Sequence, residues 1–395
     1  GWDPAFGFPE FDEICGFISN PNTQRWPAEF VISDLQFEEP TWTAISGAAA
    51  TGATIKNNRF IGGLQINAGC NAYGFEPPDG SMSAVFFTTL PDARNPVMGE
   101  PSDIIGHIKI EKNYFDGRVR MDPDGFDPVH GGSSMVHGEA ILMNGMLTPV
   151  EVTGTGAQVT IHKNEFENIM WGLFIADNSG AQVIKDNTII MNPEDEEGNP
   201  IGFVWAGISV QNFGDRVNTA PVIIQDNYIY SRVPDFVCGI RSGSKAATIK
   251  NNVVELDQPQ ESLWNAFGDS AGIYILNESV DNLVKGNTVK GSGQAAIVIE
   301  GYDEVWTAED NVLWNNNVAD FTPLDAIETW CRIFGGVDCP TAPGSHYHLT
   351  AFTANNTVKD KDWQEGMVLI DYNSDFNPYD PVTYNGDNII QLGYR

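Results

Sequence analysis

The chain has 395 residues, of which 42% are hydrophobic, enough for the core of one large domain or two ordinary ones, so disorder is excluded for most of its length. Its 53 acidic residues against 21 Lys and Arg give a formal net charge of −32, which disfavours a general nucleic-acid or anionic-membrane partner because phosphate binding requires a basic face. The same charge disfavours a strongly anionic polysaccharide unless calcium bridges the carboxylates, and no apolar run reaches the ~20 residues that a membrane-spanning helix needs.

The first 48 residues are rich in Phe, Pro and Trp, and we expect them to cap the open end of the domain that follows. The opening residues 1–4 show neither the charged n-region nor the apolar h-region of a signal peptide, as expected for a mature or trimmed chain.

Five cysteines are spread along the chain without a CxxC pair or another zinc spacing, so thiolate metal ligation is disfavoured. Cys331 and Cys339 enclose a short loop of a kind often closed by a disulfide, and a bridge between Cys15 and Cys70 would tie the cap to the body. Cys238 lies beside a strand-like segment, and we expect a small buried hydrophobe there rather than a reactive thiol.

One short phrase recurs along the chain: an apolar residue, a polar residue, any residue, Asn, any residue, an apolar residue. Its clear copies contain Asn58, Asn113, Asn164, Asn187, Asn227, Asn252, Asn287 and Asn311, with weaker copies at Asn356 and Asn388. A repeat of 20 to 50 residues with strand-type alternation is typical of a β-solenoid. We expect the Asn to adopt a left-handed corner conformation and to bond along the stack to the next coil.

A second phrase, a small residue followed by alternating apolar residues, follows most copies, so each repeat contains at least two short strands. Side chains alternate across a strand. The apolar residues three before and two after the Asn are therefore predicted to face inward, as at Ile161 and Phe166, while Lys56, Lys185, Lys250 and Lys285 face outward.

These phrases resemble those of the right-handed parallel β-helix superfamily, which includes pectate lyases, polygalacturonases and mannuronan epimerases. The resemblance covers about residues 50–395 and implies an all-β fold: a right-handed parallel β-helix at 49–395, an N-terminal cap at 1–48, and loop insertions at about 68–105, 116–158, 192–220 and 320–350. It further implies an extracellular or cell-surface protein that binds or processes an extracellular polysaccharide along its lateral groove. Fold alone does not fix the activity.

A polar insertion at 121–139 is the first candidate site. Asp122, Asp124 and Asp127 supply the density of oxygen ligands that calcium favours, and His130 and His137 are candidate general acids or bases beside them. The segments at 73–77 and 125–130 are similar to the YGFDPH motif of mannuronan C5-epimerases, which implies a catalytic role for Asp127 and His130. The first has Glu in place of Asp and lacks the His, and the second lacks the Tyr and has an inserted Val. The alternative is a structured, calcium-bound loop.

A second candidate site lies near the C-terminus. Asp371, Asn373, Asp375 and Asn377 alternate like the first ligands of an EF-hand loop, but the Gly at the sixth place and the closing Glu are missing. The alternatives are a structural calcium site and an ordinary polar turn.

The third candidate site is the outward face of the second strand. In the predicted register, successive coils present Phe174, Ser209, Arg241, Tyr274 and Val298 in one column, with Glu300 in the row beside it. Aromatic faces and a guanidinium suit sugar binding, so Phe174, Arg241 and Tyr274 are predicted to bind substrate. The alternatives are that the chain's own loops cover this face, or that a protein contacts its outer apolar stripe, including through self-association.

Catalytic phrases of the polygalacturonase type, NTD, DD, GHG and RIK, are absent from the sequence. We therefore predict a carbohydrate-directed protein stabilised by calcium, without deciding whether it is an enzyme of the lyase, epimerase or hydrolase class. The alternative is a non-catalytic structural or adhesive surface protein or filament subunit.

Overall fold

The strands of the protein stack into three long parallel sheets. The computed structural model describes residues 30–38, 44–48, 52–62, 64–65, 83–88, 106–117, 120–121, 143–145, 148–153, 156–169, 171–192, 203–211, 220–231, 235–257, 271–276, 278–301, 307–324, 345–350, 353–360, 368–370 and 389–390. Within these residues all the regular secondary structure is β-strand. They contain no helix long and apolar enough to cross a membrane.

Most coils of the described chain contribute one strand to sheet A, then one to sheet B, then one to sheet C. Sheet A contains, in spatial order, β1 (Phe30–Ser33), β4 (Ala53–Lys56), β8 (His107–Glu111), β13 (Gln158–His162), β16 (Gln182–Lys185), β19 (Val222–Gln225), β22 (Ala247–Lys250), β25 (Leu283–Lys285), β29 (Val312–Trp314), β33 (Thr357–Lys359) and β35 (Ile389–Ile390).

Sheet B contains β2 (Gln36–Glu38), β5 (Arg59–Ile61), β9 (Tyr114–Asp116), β14 (Glu165–Glu167), β17 (Thr188–Met191), β20 (Tyr228–Ser231), β23 (Val253–Asp257), β26 (Thr288–Gly293) and β30 (Phe321–Pro323). Sheet C contains β3 (Ile45–Ala48), β7 (Ser83–Thr88), β12 (Thr148–Thr153), β15 (Leu173–Ala176), β18 (Phe203–Gln211), β21 (Asp235–Gly243), β24 (Ala271–Ile275), β27 (Ala295–Ile299), β31 (Tyr347–Leu349) and β34 (Val368–Ile370).

Two minor sheets complete the strand pairing. β6 (Leu64–Gln65), β11 (Met143–Gly145) and β10 (Arg120–Met121) pair antiparallel, and β28 (Ala308–Glu309) pairs in parallel with β32 (Thr353–Ala354). All pairings described within sheets A, B and C are parallel, as between β13 and β16 or β15 and β18. The parallel β-helix predicted from the repeat is therefore confirmed.

The first coil lies within the segment 1–48 that was expected to be a cap. β1 pairs with β4, β2 with β5 and β3 with β7, so the β-helix is already under way at Phe30, and residues 1–29 lie outside the described residues. The ranges expected as loop insertions also carry coil strands, namely β7, β12, β18, β30 and β31.

The core runs through the centre of the coils and consists of stacked identical or similar side chains. The isoleucines three residues before the repeated Asn lie one above another on sheet A, and those at positions 55, 110, 161, 184, 224 and 249 are fully buried. On sheet B the rings of Phe37, Phe60, Phe115 and Phe166 stack with centroids 4.6 to 4.9 Å apart. The predicted inward positions are thereby confirmed, and Cys238 is a buried cysteine outside any disulfide, as expected.

A ladder of buried asparagines fixes the corner between sheets A and B. In each step one Asn donates both its backbone N–H and its side-chain amide to the Oδ1 of the Asn in the following coil. That second Asn donates its own side-chain amide to a backbone carbonyl of the coil before it. The ladder contains Asn58, Asn113, Asn164, Asn187, Asn227, Asn252, Asn287 and Asn316, and it ends at Asp360. The bonding along the stack is confirmed.

Two details of the corner differ from the prediction. The left-handed conformation belongs to the residue before the ladder Asn, such as Asn57 with φ 55° and Asp186 with φ 54°, because the chain must turn before the amide can point inward. Asn311 and Asn356 belong to a second ladder with Asn282. These three asparagines precede their sheet A strands, since the chain from residue 280 onward contains an additional Asp-Asn or Asn-Asn corner.

Candidate functional site

Two of the three candidate sites fall on residues that the structure does not describe. Asp122, Asp124, Asp127, His130 and His137 lie outside the described residues, as does the proposed calcium segment 371–377. Among the residues that are described, no three His, Cys, Asp or Glu side chains come together as a metal site. The roles assigned to both segments stay predictions.

The third candidate site, the outward face of sheet C, is well described. Strand pairing aligns one outward residue from each of seven successive strands, and we call this set the sheet C column: Glu151, Phe174, Ser209, Arg241, Tyr274, Val298 and His348. The predicted register of Phe174, Arg241 and Tyr274 is confirmed, and Glu151 and His348 extend the column by one coil at each end.

The sheet C column is not an open stripe along its whole length. Ser209, Tyr274 and Val298 have relative exposures of 0%, 5% and 1%, and Leu276 in the row beside them is buried too. This burial arises within the single chain and favours the alternative that the chain covers this face. Phe174, Arg241 and His348 remain partly exposed, so burial is uneven along the column.

Glu300 lies at the centre of a polar cluster on this face. It directly follows β27 and its backbone N–H donates to the carbonyl of Ile275 at 2.8 Å. The hydroxyl of Tyr274 donates to its carboxylate, and the charges of Arg241 and His348 act on it. Four successive coils thus bring together four groups that are 107 residues apart at their extremes, from 241 to 348.

The environment of Glu300 favours its protonated form. Loss of solvent around the carboxyl raises the pKa of Glu300, and this effect exceeds the lowering by the Tyr274 hydrogen bond and by the charges of Arg241 and His348. A carboxyl of this kind holds a proton at a higher pH than an exposed glutamate does. It can donate a hydrogen bond or a proton to a bound molecule and later accept one.

The partners of the cluster are themselves held in place. The side-chain amide nitrogen of Gln294 lies 3.3 Å from His348 Nδ1. Thr350 Oγ1 accepts from the Gly301 N–H at 2.7 Å and donates to the Gly301 carbonyl at 2.8 Å, which fixes the backbone next to Glu300. The cluster is therefore preorganised by contacts between neighbouring coils.

An aromatic pair lies nearer the N-terminal end of the column. The rings of Trp171 and Phe174 are tilted by 51° with centroids 4.7 Å apart, and both are partly exposed. Phe174 is separated from Arg241 only by Ser209 in the column. Because coils stack ~4.8 Å apart, Phe174 lies roughly 10 Å from Arg241 and roughly 19 Å from the coil of Glu300 along the column.

Sequence reasoning placed Glu300 beside the column but gave it no role, and it missed Glu151 and His348. Both could have been found by extending the register, since Glu151 and His348 each stand between two inward apolar residues of a strand, Val150 and Val152 or Tyr347 and Leu349. The proximity of Glu300 to His348 depends on which strand stacks next to β27. The sequence does not show this, because a long segment separates the two residues.

Comparisons with known proteins give distant matches. No protein-family model matches the chain, and no curated protein sequence matches it. Among solved structures, DFA-IIIase from Arthrobacter chlorophenolicus A6 is similar in three crystal structures. A mutant of that enzyme with one cysteine replaced by alanine is 13% identical with a TM-score of 0.39, covering 98% of this chain and 93% of that chain. The complex with GF2 is 12% identical with a TM-score of 0.39, covering 100% and 97%.

The complex of the same enzyme with DFA-III is 11% identical with a TM-score of 0.37, covering 98% of this chain and 93% of that chain. At this distance the likeness transfers no activity. The fold assigned above follows from the strand pairing, and the candidate site from its own geometry.

Proposed function

We propose that the protein is carbohydrate-directed and binds a saccharide at the sheet C column, with Glu300 at the centre of the site. The observation that carries the proposal is the convergence of Arg241, Tyr274, Glu300 and His348 from four successive coils. A cluster of donors and acceptors beside an aromatic face is the combination that hydroxyl-rich, partly apolar sugar rings require.

The chemistry of each group fits this role. Arg241 presents several N–H donors in a fixed plane, suited to ring and hydroxyl oxygens. Glu300 accepts from sugar hydroxyls when ionised and donates when protonated. Phe174 offers an aromatic face to the apolar C–H side of a sugar. The net charge of −32 favours a neutral saccharide at this site over an acidic one.

Because the sheet C column is partly buried, it favours a short saccharide or a chain end over a long polymer lying in an open groove. A protonated Glu300 would supply the general acid for glycosidic cleavage, but that reaction also uses a second carboxyl. No other carboxyl among the described residues acts on Glu300. Binding is therefore the activity we propose. An extracellular or cell-surface location and a structural calcium ion belong to the same proposal.

A screen of neutral oligosaccharides by glycan array, followed by calorimetry on the hits, tests the proposal. We expect Arg241→Gln and Glu300→Gln to weaken binding at least tenfold, whereas Glu255→Gln on sheet B, whose carboxylate accepts from Tyr228, should leave it unchanged. Mass spectrometry after overnight incubation shows whether the bound sugar is altered. Binding of no neutral glycan, or equal binding by all variants, would overturn the proposal.

A further inference from the structure

Two lysines at the corner between sheets A and B have a backbone conformation that disfavours them. In nine successive described coils the residue at this turn has a φ between 54° and 65°: Asp34, Asn57, Lys112, Lys163, Asp186, Asp226, Asn251, Gly286 and Asn315. Asn, Asp and Gly adopt the left-handed region at low cost, whereas a longer side chain is strained there. Lys112 and Lys163 are the exceptions to this preference, and they lie on adjacent coils.

These lysines also lack the contacts that other corner residues make with each other. The Asn57 amide donates to Asp34 Oδ1 at 3.2 Å, and the Asn251 amide donates to Asp226 Oδ1 at the same distance. Two ammonium groups on adjacent coils repel each other instead. Stability of the corner therefore does not account for the two lysines, and a strained residue that the fold retains points to a function.

The two lysines line an open recess at this corner. The recess has a volume of about 340 Å³. We call it the corner recess, and it is lined by the side chains Asn57, Arg59, Lys112, Tyr114, Lys163 and Glu165, beside the ladder asparagines at 58 and 113. Its three cationic residues are exposed and come from three successive coils, which stack ~4.8 Å apart. With one carboxylate, the lining has a net charge of +2.

The cationic groups of the corner recess have no carboxylate bound to them. The Arg59 guanidinium lies over the Tyr114 ring, with its carbon 4.6 Å from the ring centroid, which leaves the N–H groups at its rim available to an anion. Within the described part of the chain, no ion pair joins Arg59, Lys112 or Lys163 to an acidic side chain. The pair described beside them is His162 with Asp186 at 2.9 Å.

The other nearby acids are engaged or face another surface. Asp34 accepts from Asn57, and Asp186 bonds to His162. Glu111 lies on the outward face of sheet A, between Lys56 and His162 in the strand register. The corner recess is therefore locally positive in a chain whose net charge is −32.

We propose that the corner recess binds the dianionic phosphoryl group of a small phosphate monoester. Its three terminal oxygens would accept from Arg59, Lys112 and Lys163, one from each coil. A carboxylate has only two oxygens and a sulfate monoester carries a single charge, so neither matches three donors and a lining of +2. The recess is larger than a phosphoryl group requires, and Glu165 can accept from a hydroxyl on the organic part of the ligand.

The net charge of the chain does not exclude this ligand. Repulsion from distant carboxylates is screened beyond a Debye length of about 8 Å in physiological salt, while the three cations contact the phosphoryl group directly. The corner recess lies between sheets A and B, away from the sheet C column. Its test is therefore independent of the function proposed above.

The test is calorimetric titration of the whole chain with glycerol phosphate in phosphate-free buffer of low ionic strength. We expect Lys112→Asn with Lys163→Asn to weaken binding roughly tenfold or more, because two charge-assisted contacts are lost. Arg59→Gln should weaken binding as well. The matched control is Lys250→Gln with Lys290→Gln, which removes the same charge outside the recess and should leave binding unchanged.

The melting temperature separates a binding role of the lysines from a structural one. The variant Lys112→Asn with Lys163→Asn should melt at a higher temperature than the wild type, since Asn suits the left-handed corner and the repulsion is removed. A lower melting temperature would show that the lysines stabilise the corner and would overturn the argument from strain.

Three further outcomes would overturn the proposal. Absence of glycerol phosphate binding by the wild type would remove the site, and equal loss of binding in the two double variants would show a response to net charge alone. Equally tight binding of methyl sulfate would overturn the assignment to a dianion. Titration with inorganic phosphate distinguishes the two sources of the group: weaker binding than that of glycerol phosphate supports an ester, and tighter binding would overturn the ester in favour of free phosphate.

Discussion

Asn227 Oδ1 accepts two hydrogen bonds from Asn187 one coil earlier, from its backbone N–H at 3.0 Å and from its side-chain amide at 2.9 Å. Both residues are about 1% exposed. Because the same relationship repeats along the stack, each Asn satisfies the polar groups of its neighbour where water cannot reach. This ladder sets the register in which the outward columns form.

Replacing one asparagine of the ladder should destabilise the fold. In Asn227→Ala, two donors of Asn187 lose their acceptor and the Ile184 carbonyl loses the donor that lies 3.0 Å away. We expect the free energy of unfolding to fall by about 3 kcal/mol, measured by urea denaturation. Gln225→Ala, two residues away and outward-facing, should cost less than about 1 kcal/mol. Equal losses in the two variants would contradict the role of the ladder.

The phenylalanine stack on sheet B makes a second prediction about stability. Phe115 is fully buried, with its ring centroid 4.6 Å from that of Phe60 and 4.8 Å from that of Phe166. Phe115→Ala should lower the free energy of unfolding by about 3 to 5 kcal/mol because it opens a cavity between two rings. Val31→Ala on the exposed face of sheet A is the control, with little expected change. A small loss for Phe115→Ala would mean that the stack collapses around the gap.

Glu300 should make folding stability depend on pH. Its pKa is raised above the ordinary 4.5, chiefly by burial, so the folded state binds the proton more tightly than the unfolded state. This contribution is fully present below the unfolded pKa and is lost as the pH rises through the folded pKa. From pH 4.5 upward, wild-type stability should therefore fall relative to that of Glu300→Gln. Denaturation series on both proteins check this, and parallel pH profiles would contradict it.

Calcium binding by the segments at 122–127 and 371–377 stays a prediction. If the ion binds the folded state only, its removal lowers the melting temperature. We expect EGTA to lower the melting temperature by several degrees and an excess of calcium, but not magnesium, to restore it. A melting curve unchanged by EGTA would contradict a structural calcium ion.

Most of the fold could be predicted from the repeat in the sequence, because the alternation of side chains along a strand and the stacking of coils both leave a short, recurring sequence pattern. Ile161 and Phe166 could be placed in the core from their distance to Asn164 alone, and the alignment of Arg241 with Tyr274 followed from the small residue, Cys238 or Ala271, that begins the second repeated phrase. The left-handed conformation of the corner was predicted at Asn164 but occurs one residue earlier, at Lys163. Either residue of this pair is able to make the turn.

The burial of the sheet C column could not be predicted. The alternation of side chains shows that Tyr274 faces outward. Whether an outward side chain is exposed to solvent depends on which other parts of the chain cover that face, and the periodicity of the repeat does not encode this. The raised pKa of Glu300 has the same origin.

The most direct test of the carbohydrate site compares two tyrosines that donate to glutamates. Tyr274 donates to Glu300 in the sheet C column, and Tyr114 donates to Glu167 at 2.8 Å on sheet B. Calorimetric titration of the glycan selected by the array should show roughly tenfold weaker binding for Tyr274→Phe and unchanged binding for Tyr114→Phe. Unchanged binding in Tyr274→Phe, or equal weakening in both variants, would contradict a saccharide site centred on Glu300.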